Sequence, residues 1–133
     1  MNLNENFQSA RDLMETNIVF IDGLATAKEA VRIMREKNVE SLIVNKRNEQ
    51  DAYGIVVIQD LILGAILPQR PAEKVNVFEI MKKPVVTVPP DMDIRYVARL
   101  LIRLGLRSAP VEENGEYIGM ISLSRIILKN VLF

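Results

Sequence analysis

The stretches Y-G-I-V-V-I-Q-D-L-I (Tyr53–Ile62) and I-G-M-I-S-L-S-R-I-I (Ile118–Ile127) are two versions of one pattern. In each, a glycine precedes a short apolar run, polar positions follow, and an apolar pair closes the stretch. The charged position differs, because it is Asp60 in the first stretch and Arg125 in the second. A pattern that occurs twice predicts an internal repeat, and such a repeat decides the fold before any single element does.

The repeat extends through most of the chain. The segments A-K-E-A-V-R-I-M (27–34) and I-R-Y-V-A-R-L-L (94–101) both place apolar residues at i, i+3, i+4 and i+7, and their numbers differ by 67. From Gly54 and Gly119 onward the difference is 65, so the second copy is two residues shorter in a loop. Loops tolerate such changes in length.

Each copy is predicted to contain a strand, an amphipathic helix, a strand, a turn, a strand and a helix, because apolar runs alternate with a 3.6-residue period. The first strands are expected at residues 17–21 and 84–88. We expect a first repeat with an N-terminal helix at 1–66, a proline-containing linker at 67–76 and a second repeat at 77–133. Since a half of this size is marginal alone, the halves are expected to pack together with a crevice between them.

Local signals mark the ends of the predicted helices and one hairpin. Residues that cap helix starts accept hydrogen bonds from free backbone N–H groups, and helices often end at a left-handed residue. The expected residues are Thr26 and either Asp91 or Asp93 at helix starts, Asn38 and Gly105 at helix ends, and Asn114-Gly115 in the second hairpin.

Composition excludes several classes of function. The 133 residues include no His and no Cys, and 17 Lys plus Arg balance 17 Asp plus Glu. Without His and Cys there is no Ser-His-Asp triad, thiolate nucleophile, disulfide or Cys-based zinc site. A net charge of zero provides no overall field that would attract nucleic acid. We therefore expect neither an enzyme nor a nucleic-acid-binding protein.

The chain also has no segment that predicts membrane insertion or export. Its longest apolar stretch, Leu61 to Leu67, is too short to cross a bilayer. The N-terminal M-N-L-N-E-N-F-Q lacks the basic start of a signal peptide. A cytoplasmic location is the expectation.

With these elements in order, the chain resembles a tandem pair of CBS domains, the Bateman module. The resemblance covers Ala10 to Leu132. It rests on the repeated order of elements, on D-L-M and E-I-M at Met14 and Met81, on V-P-P-D (88–91), and on the glycine-containing endings. It implies an α/β (α+β) fold of two βαββα repeats packed as a pseudo-twofold pair.

The resemblance also implies a function and partners. Modules of this family typically bind adenosine-containing ligands such as AMP, ADP, ATP or S-adenosylmethionine, and they regulate a partner protein. They usually form homodimers. The implied ligand is regulatory, so no cofactor is required, and the effector protein is not named by the sequence.

The family's pattern supplies candidate ligand residues. An Asp at the start of the last helix accepts hydrogen bonds from ribose hydroxyls, and a Ser or Thr three residues earlier contacts ribose or phosphate. Carried over, the ligand-binding residues are Phe20, Ser41, Leu42, Val57 and Asp60 in the first repeat, and Thr87, Ser108, Ala109, Ser122 and Arg125 in the second.

Neither copy carries the whole motif. The first keeps Asp60 but has Val57 at the hydroxyl position, and the second keeps Ser122 but has Arg125 at the Asp position. Arginine can bind phosphate, yet it cannot accept a hydrogen bond from a ribose hydroxyl. We therefore expect one occupied site or none.

Structural roles explain the same residues. Asp60 can cap a helix or face its dipole as a first-turn acid, and Ser122 can act as a cap. Arg125 at a helix start opposes the dipole and is expected to have another partner, either a phosphate or an acidic side chain. Two functions stay open: a ligand-sensing regulatory module, or a ligand-free dimerisation or interaction module with degenerate nucleotide motifs.

Overall fold

The chain folds into a mixture of short helices and strands, as predicted. A computed structural model describes residues 7–132. The first half contains α1 (Ala10–Leu13), β1 (Phe20–Ile21), α2 (Ala27–Lys37), β2 (Ser41–Val44), β3 (Gly54–Val57) and α3 (Ile58–Leu61). A π-helical stretch, Ile62–Ile66, continues α3, and a 3-10 turn, Ala72–Lys74, follows it.

The second half repeats this order of elements. It contains α4 (Val77–Ile80), α5 (Ile94–Leu104), β4 (Ser108–Glu113), β5 (Glu116–Ser122) and α6 (Leu123–Lys129). The mixed α and β class is confirmed.

The first strand of each copy is shorter than predicted. The strand expected at 17–21 is reduced to β1, and the one expected at 84–88 is a single parallel bridge between Val88 and Val111. In the first copy the Ile43 N–H donates to the carbonyl oxygen of Val19, which directly precedes β1. The equivalent residue of the second copy is Pro110, which has no N–H to donate, so the ladder is shorter there.

Packing divides the chain into two compact units. The continuous unit consists of residues 19–85, and the split unit consists of residues 7–18 together with 86–132. The compact units have other boundaries than the predicted repeats at 1–66 and 77–133. The linker at 67–76 therefore stays a prediction about the repeats.

A three-stranded sheet organises the continuous unit. Its order is β1-β2-β3, with β1 parallel and β3 antiparallel to β2. Alternate residues of a strand point to the same face, so one face packs against the apolar side of α2. The core side chains are Ile21, Ala27, Ala30, Met34, Leu42, Val44, Val56, Leu61, Ala65, Val75 and Val77.

The split unit is built on an antiparallel hairpin. Strands β4 and β5 pair from Ser108 opposite Ser122 to Glu113 opposite Glu116. Helix α5 covers the hairpin through residues that match those of α2 in the repeat. The core side chains are Ala10, Leu13, Val88, Ile94, Val97, Leu101, Ala109, Val111 and Ile121.

The predicted helix ends and the hairpin turn are confirmed. The side chains of Thr26 and Asp93 accept hydrogen bonds from first-turn N–H groups at 3.1 and 2.9 Å. Asn38 and Gly105 end α2 and α5 with left-handed φ values of 54 and 67°. Asn114-Gly115 turns the second hairpin with positive φ at both residues. No helix within residues 7–132 has the length and apolar character needed to cross a membrane.

Two short segments, each of which comes before the first strand of a repeat, dock on strand edges in a similar way. We call residues 9–15, which include α1, the first lead segment, and residues 76–82, which include α4, the second lead segment. In the split unit, Glu15 and Met120 exchange backbone hydrogen bonds of 2.8 and 2.7 Å. In the continuous unit, Lys82 and Ile55 exchange two bonds of 2.9 Å. Each lead segment therefore extends the outer edge of the unit's last strand.

Candidate functional site

The junction of β3 and α3 holds the charged residue of the first repeat motif. Asp60 lies in the first turn of α3, where its Oδ2 accepts a hydrogen bond of 2.9 Å from the Val57 N–H. Lys82 Nζ donates to the other oxygen, Oδ1, at 2.6 Å. The residue is only 3% exposed. Both carboxylate oxygens are thus engaged inside the continuous unit, in a capping role and in an ion pair.

The other first-repeat candidates divide between the two faces of the sheet. Ser41 lies directly opposite Val57, and Phe20 pairs with Ile43. These positions share the face turned away from α2, because side chains alternate along a strand. Leu42 points the other way and is fully buried in the core. Its side chain is therefore unable to contact a ligand on the face of Ser41, where it offers only main-chain atoms.

An aromatic pair marks the edge of this face. Phe20 is 42% exposed, and its ring centroid lies 5.9 Å from that of Tyr53. Lys46 Nζ lies 4.7 Å from the centroid of the Tyr53 ring, within cation–π range. Sequence reasoning did not select Tyr53, although its position directly before the motif glycine Gly54 was a usable signal.

The matching junction in the split unit holds Arg125. The Ser122 hydroxyl caps α6 by accepting from the Arg125 N–H at 3.1 Å, which confirms the structural role considered for this serine. The guanidinium Nε donates to the Leu13 carbonyl oxygen at 2.6 Å, and Nη1 lies 3.9 Å from Glu15 Oε1. The side chain is 30% exposed. Arg125 thus has the additional partner that its unfavourable position at a helix start predicted.

Two of the hydroxyl-bearing candidates of the second repeat are brought together where β4 begins and β5 ends. Ser108 lies directly opposite Ser122, and both are half-buried. Thr87 is also half-buried and directly precedes Val88, which bridges to the same hairpin. Among residues 7–132, the hydroxyls of Thr87 and Ser108 have no protein hydrogen-bond partner. Ala109 is buried in the core, as Leu42 is in the first repeat.

The ion pairs at the two junctions have opposite polarity. Lys82 follows Glu15 by 67 residues, and Arg125 follows Asp60 by 65, which are the offsets of the repeat. The acid on one last helix pairs with a base in a lead segment, and the base on the other last helix pairs with an acid. Sequence reasoning noted only one of these two reversals. The other was visible at the same offset.

Charged groups also hold the β2–β3 loop. Asp51 binds Arg47 and Lys83, and its side chain is 7% exposed. The hydrogen bond from the Arg47 guanidinium, followed by that from Lys83, holds the pKa of the Asp51 carboxyl well below its usual range. The same contact raises the pKa of Arg47. This cluster ties the loop to the residue after the second lead segment.

A concave surface of the split unit lies away from these candidate residues. A shallow depression of about 500 Å³ is lined by Phe7, Pro89, Asp91, Met92, Asp93 and Tyr96, and none of the candidate ligand residues contributes to it. Within residues 7–132 no group of three or more acidic side chains is placed to hold a metal ion. The candidate site is thus a strand surface with hydroxyl groups and one arginine.

Two copies of a βαββα unit, each ending in the same strand-to-helix junction, define a tandem-repeat α+β protein. The profile of the CBS domain family matches residues 10–65 and 77–130. The chain belongs to the CBS domain family, and the predicted tandem arrangement is confirmed.

Relatives with matching sequences are longer than this chain. An uncharacterized protein of Methanopyrus kandleri is 33% identical over 104 residues, which cover 77% of this chain and 52% of that protein. The mitochondrial CBS domain-containing protein CBSX3 of Arabidopsis thaliana is 30% identical over 105 residues, which cover 77% and 51%. The chain therefore spans about half the length of these relatives.

Solved structures share the fold. The hexameric CBS-CP12 protein from bloom-forming cyanobacteria has a TM-score of 0.89 and 40% identity, covering 93% of this chain and 68% of that chain. A CBS domain pair in complex with 5′-methylthioadenosine and S-adenosyl-L-methionine has a TM-score of 0.76 and 20% identity, covering 91% and 94%. At that identity the likeness concerns the fold alone.

Proposed function

We propose that this chain is a regulatory module that binds an adenosine-containing ligand and passes its bound state to a partner protein. The ligand belongs to the group AMP, ADP, ATP and S-adenosylmethionine. Membership of the CBS domain family supports the regulatory role. A solved CBS domain pair contains S-adenosyl-L-methionine and 5′-methylthioadenosine, which supports the adenosyl class.

The observation that carries the proposal is the set of available hydroxyls in the second repeat. Thr87 and Ser108 are half-buried, and within residues 7–132 their hydroxyls have no protein partner. Such groups can hydrogen-bond a sugar or an adenine edge without breaking an existing contact. The Arg125 side chain in the same unit is 30% exposed, and a guanidinium suits a phosphate or carboxylate. The primary site is therefore assigned to the second repeat.

The first repeat is the weaker site. Asp60 already accepts from Val57 and Lys82, so ribose hydroxyls at this position compete with both donors. Phe20 and Ser41 remain candidate contacts there, with Leu42 available through its main chain. This contrast favours one occupied site in preference to two equal ones.

Binding measurements on the full chain test this assignment. Isothermal titration with AMP, ADP, ATP and S-adenosylmethionine, with GTP as a control, identifies the ligand. Thr87→Val or Ser108→Ala should then weaken binding about tenfold, the effect of losing one hydrogen bond. Neither change removes an internal hydrogen bond, so the thermal midpoint should stay close to the native value.

The equivalent serine of the first repeat provides a matched control. Ser41→Ala should leave the affinity unchanged if the ligand binds in the second repeat. Weaker binding in Ser41→Ala or Asp60→Asn, with native affinity in Ser108→Ala, contradicts the assignment and places the ligand on the first repeat.

A second function, a ligand-free dimerisation or interaction module, is favoured by a specific observation. The charged residue of each motif already has an internal partner: Asp60 binds Lys82, and Arg125 binds the Leu13 carbonyl. Under this function no adenosyl compound shifts the thermal midpoint, yet the protein sediments as a homodimer or larger assembly. The hexameric CBS-CP12 protein shows that a relative of this fold can form larger assemblies. A monomer that binds no ligand contradicts both functions.

A further inference from the structure

The two lead segments dock on their strand edges through contacts that are nearly identical. Each segment exchanges two backbone hydrogen bonds with its edge, of 2.8 and 2.7 Å at β5 and of 2.9 Å each at β3. The thioether sulfurs of Met14 and Met81 both lie against a motif glycine, 2.5 and 2.6 Å from where a Cβ would stand on Gly119 and Gly54. These contacts are of the same kind at the two edges, although the Glu15 carbonyl approaches Gly119 more closely than the Lys82 carbonyl approaches Gly54.

The caps of the two lead helices are also alike. The Ser9 N–H donates to Asp12 Oδ2, and the Asn76 N–H donates to Glu79 Oε2, at 2.8 Å in each case. Ser9 and Asn76 are equivalent in the repeat, as are Asp12 and Glu79. The caps therefore do not distinguish the two segments.

Charge does distinguish them. Lys82 of the second lead segment lies 2.6 Å from Asp60, and Glu15 of the first lies 3.9 Å from Arg125. If the segments exchanged edges, Glu15 would meet Asp60 and Lys82 would meet Arg125. Both contacts would then join like charges, which is unfavourable across a docking surface.

We propose that the reversed ion pairs act as a charge code. The sign of the charge on a lead segment determines which strand edge it docks on. The edge of β3 takes a segment with a base at the sixth position after its cap, and the edge of β5 takes one with an acid there. Recognition occurs within the chain, and it excludes the wrong segment of the same copy or of a second copy. The code does not depend on a bound ligand.

The Asp60 edge carries most of the discrimination. Asp60 is 3% exposed and its pair is short, whereas Glu15 is half-exposed and its pair with Arg125 is long. A like charge beside a buried carboxylate is more unfavourable than one beside an exposed group, because solvent screens the latter. The Asp60 edge therefore rejects the first lead segment more strongly than the Arg125 edge rejects the second.

Amide hydrogen exchange of the full-length protein tests the code at each edge. In Lys82→Glu, the backbone amide of residue 82 should exchange about tenfold faster or more, while that of Glu15 keeps its native rate. Adding Asp60→Arg should restore the protection, because arginine occupies the equivalent position of the other repeat. Native exchange in Lys82→Glu, or no recovery in a folded double variant, overturns the proposal.

Cysteine crosslinking gives a second readout that does not depend on stability. The sequence contains no cysteine, so introduced pairs are unambiguous. Ser9 bridges to Asp93, and the residue equivalent to Asp93 in the first repeat is Thr26, which bridges to Asn76. Ser9→Cys with Asp93→Cys reports native docking, and Ser9→Cys with Thr26→Cys reports exchanged docking.

The crosslinks are compared in the native background and in Glu15→Lys with Lys82→Glu, where the two lead segments carry exchanged charges. The native-docking crosslink should dominate in the first background. In the second it should decrease and the exchanged-docking crosslink should increase, within one chain or between chains. The same crosslinking pattern in both backgrounds overturns the proposal.

Discussion

Replacing Gly119 with alanine tests how closely the first lead segment approaches β5. A Cβ at this position would lie 2.5 Å from Met14 Sδ and 2.7 Å from the Glu15 carbonyl oxygen, well inside van der Waals contact. The thioether can rotate away. The carbonyl belongs to a backbone that is hydrogen-bonded to Met120, so the lead segment itself must move outward.

Two opposing effects set the magnitude for Gly119→Ala. Overpacking of a close contact lowers the free energy of unfolding by about 1–3 kcal/mol. Alanine also restricts the unfolded chain, which returns about 0.4–1 kcal/mol. The expected net loss is about 1–2 kcal/mol, and the thermal midpoint should fall by roughly 3–8 °C for a chain of this size.

Urea unfolding followed by circular dichroism measures the loss, and Gly54→Ala is the matched control. At Gly54 a Cβ would meet Met81 Sδ at 2.6 Å, but the nearest carbonyl, that of Lys82, is 3.3 Å away. Only the flexible thioether has to move substantially, so the loss should stay below about 1 kcal/mol. Native stability of Gly119→Ala, or equal losses in the two variants, would refute the role of the Glu15 carbonyl.

Three further predictions concern the core, the pH response and a turn. Leu101→Ala should lower the free energy of unfolding in urea by about 2–5 kcal/mol because Leu101 is fully buried, whereas exposed Ile102→Ala should change it by less than about 0.5 kcal/mol. Arg47 lowers the pKa of Asp51, so the contribution of Asp51 to stability is complete above its ordinary pKa of 3.8 and is lost as pH falls through the lower folded value. Between about pH 5 and 2 the free energy of unfolding should therefore fall more steeply with decreasing pH for the native protein than for Asp51→Asn. The same pH dependence in both proteins would contradict this. Gly115→Ala, at φ 83°, should lower the thermal midpoint through backbone strain of about 1 kcal/mol, and an unchanged midpoint would count against that strain.

The parts of the fold that follow from local signals were predictable. The period of α2 and α5, the caps at Thr26 and Asp93 and the left-handed ends at Asn38 and Gly105 each depend on a few neighbouring residues. Docking of the lead segments could not be predicted in this way. The Arg125 guanidinium binds a carbonyl 112 residues earlier in the chain, and no local pattern encodes such a contact.

The candidate site shows the same division between local and nonlocal information. Repeat spacing made Ser41 and Ser108 equivalent, and the structure places them alike, Ser41 opposite Val57 and Ser108 opposite Ser122. The face of Leu42 was not determined by the sequence, since the run from Leu42 to Val44 is apolar throughout and gives no alternation to assign sides. The partner of Asp60 does have a signal in the sequence, because the charge reversal from Glu15 to Lys82 accompanies that from Asp60 to Arg125 at the offsets of the repeat.

The discontinuity of the split unit imposes an order on folding during synthesis. Every core side chain of the continuous unit is available once residue 85 has left the ribosome, and its contacts are complete within 67 residues. The split unit must wait for Ile121 to join Ala10 and Leu13, and contacts so distant in sequence form slowly. Across the sheet of the continuous unit, β1 and Lys82 lie three strand spacings apart, about 15 Å. Early folding of this unit therefore replaces a long flexible loop by a short fixed span. Residues 19–85 thereby act as a template that brings residues 7–18 and 86–132 together.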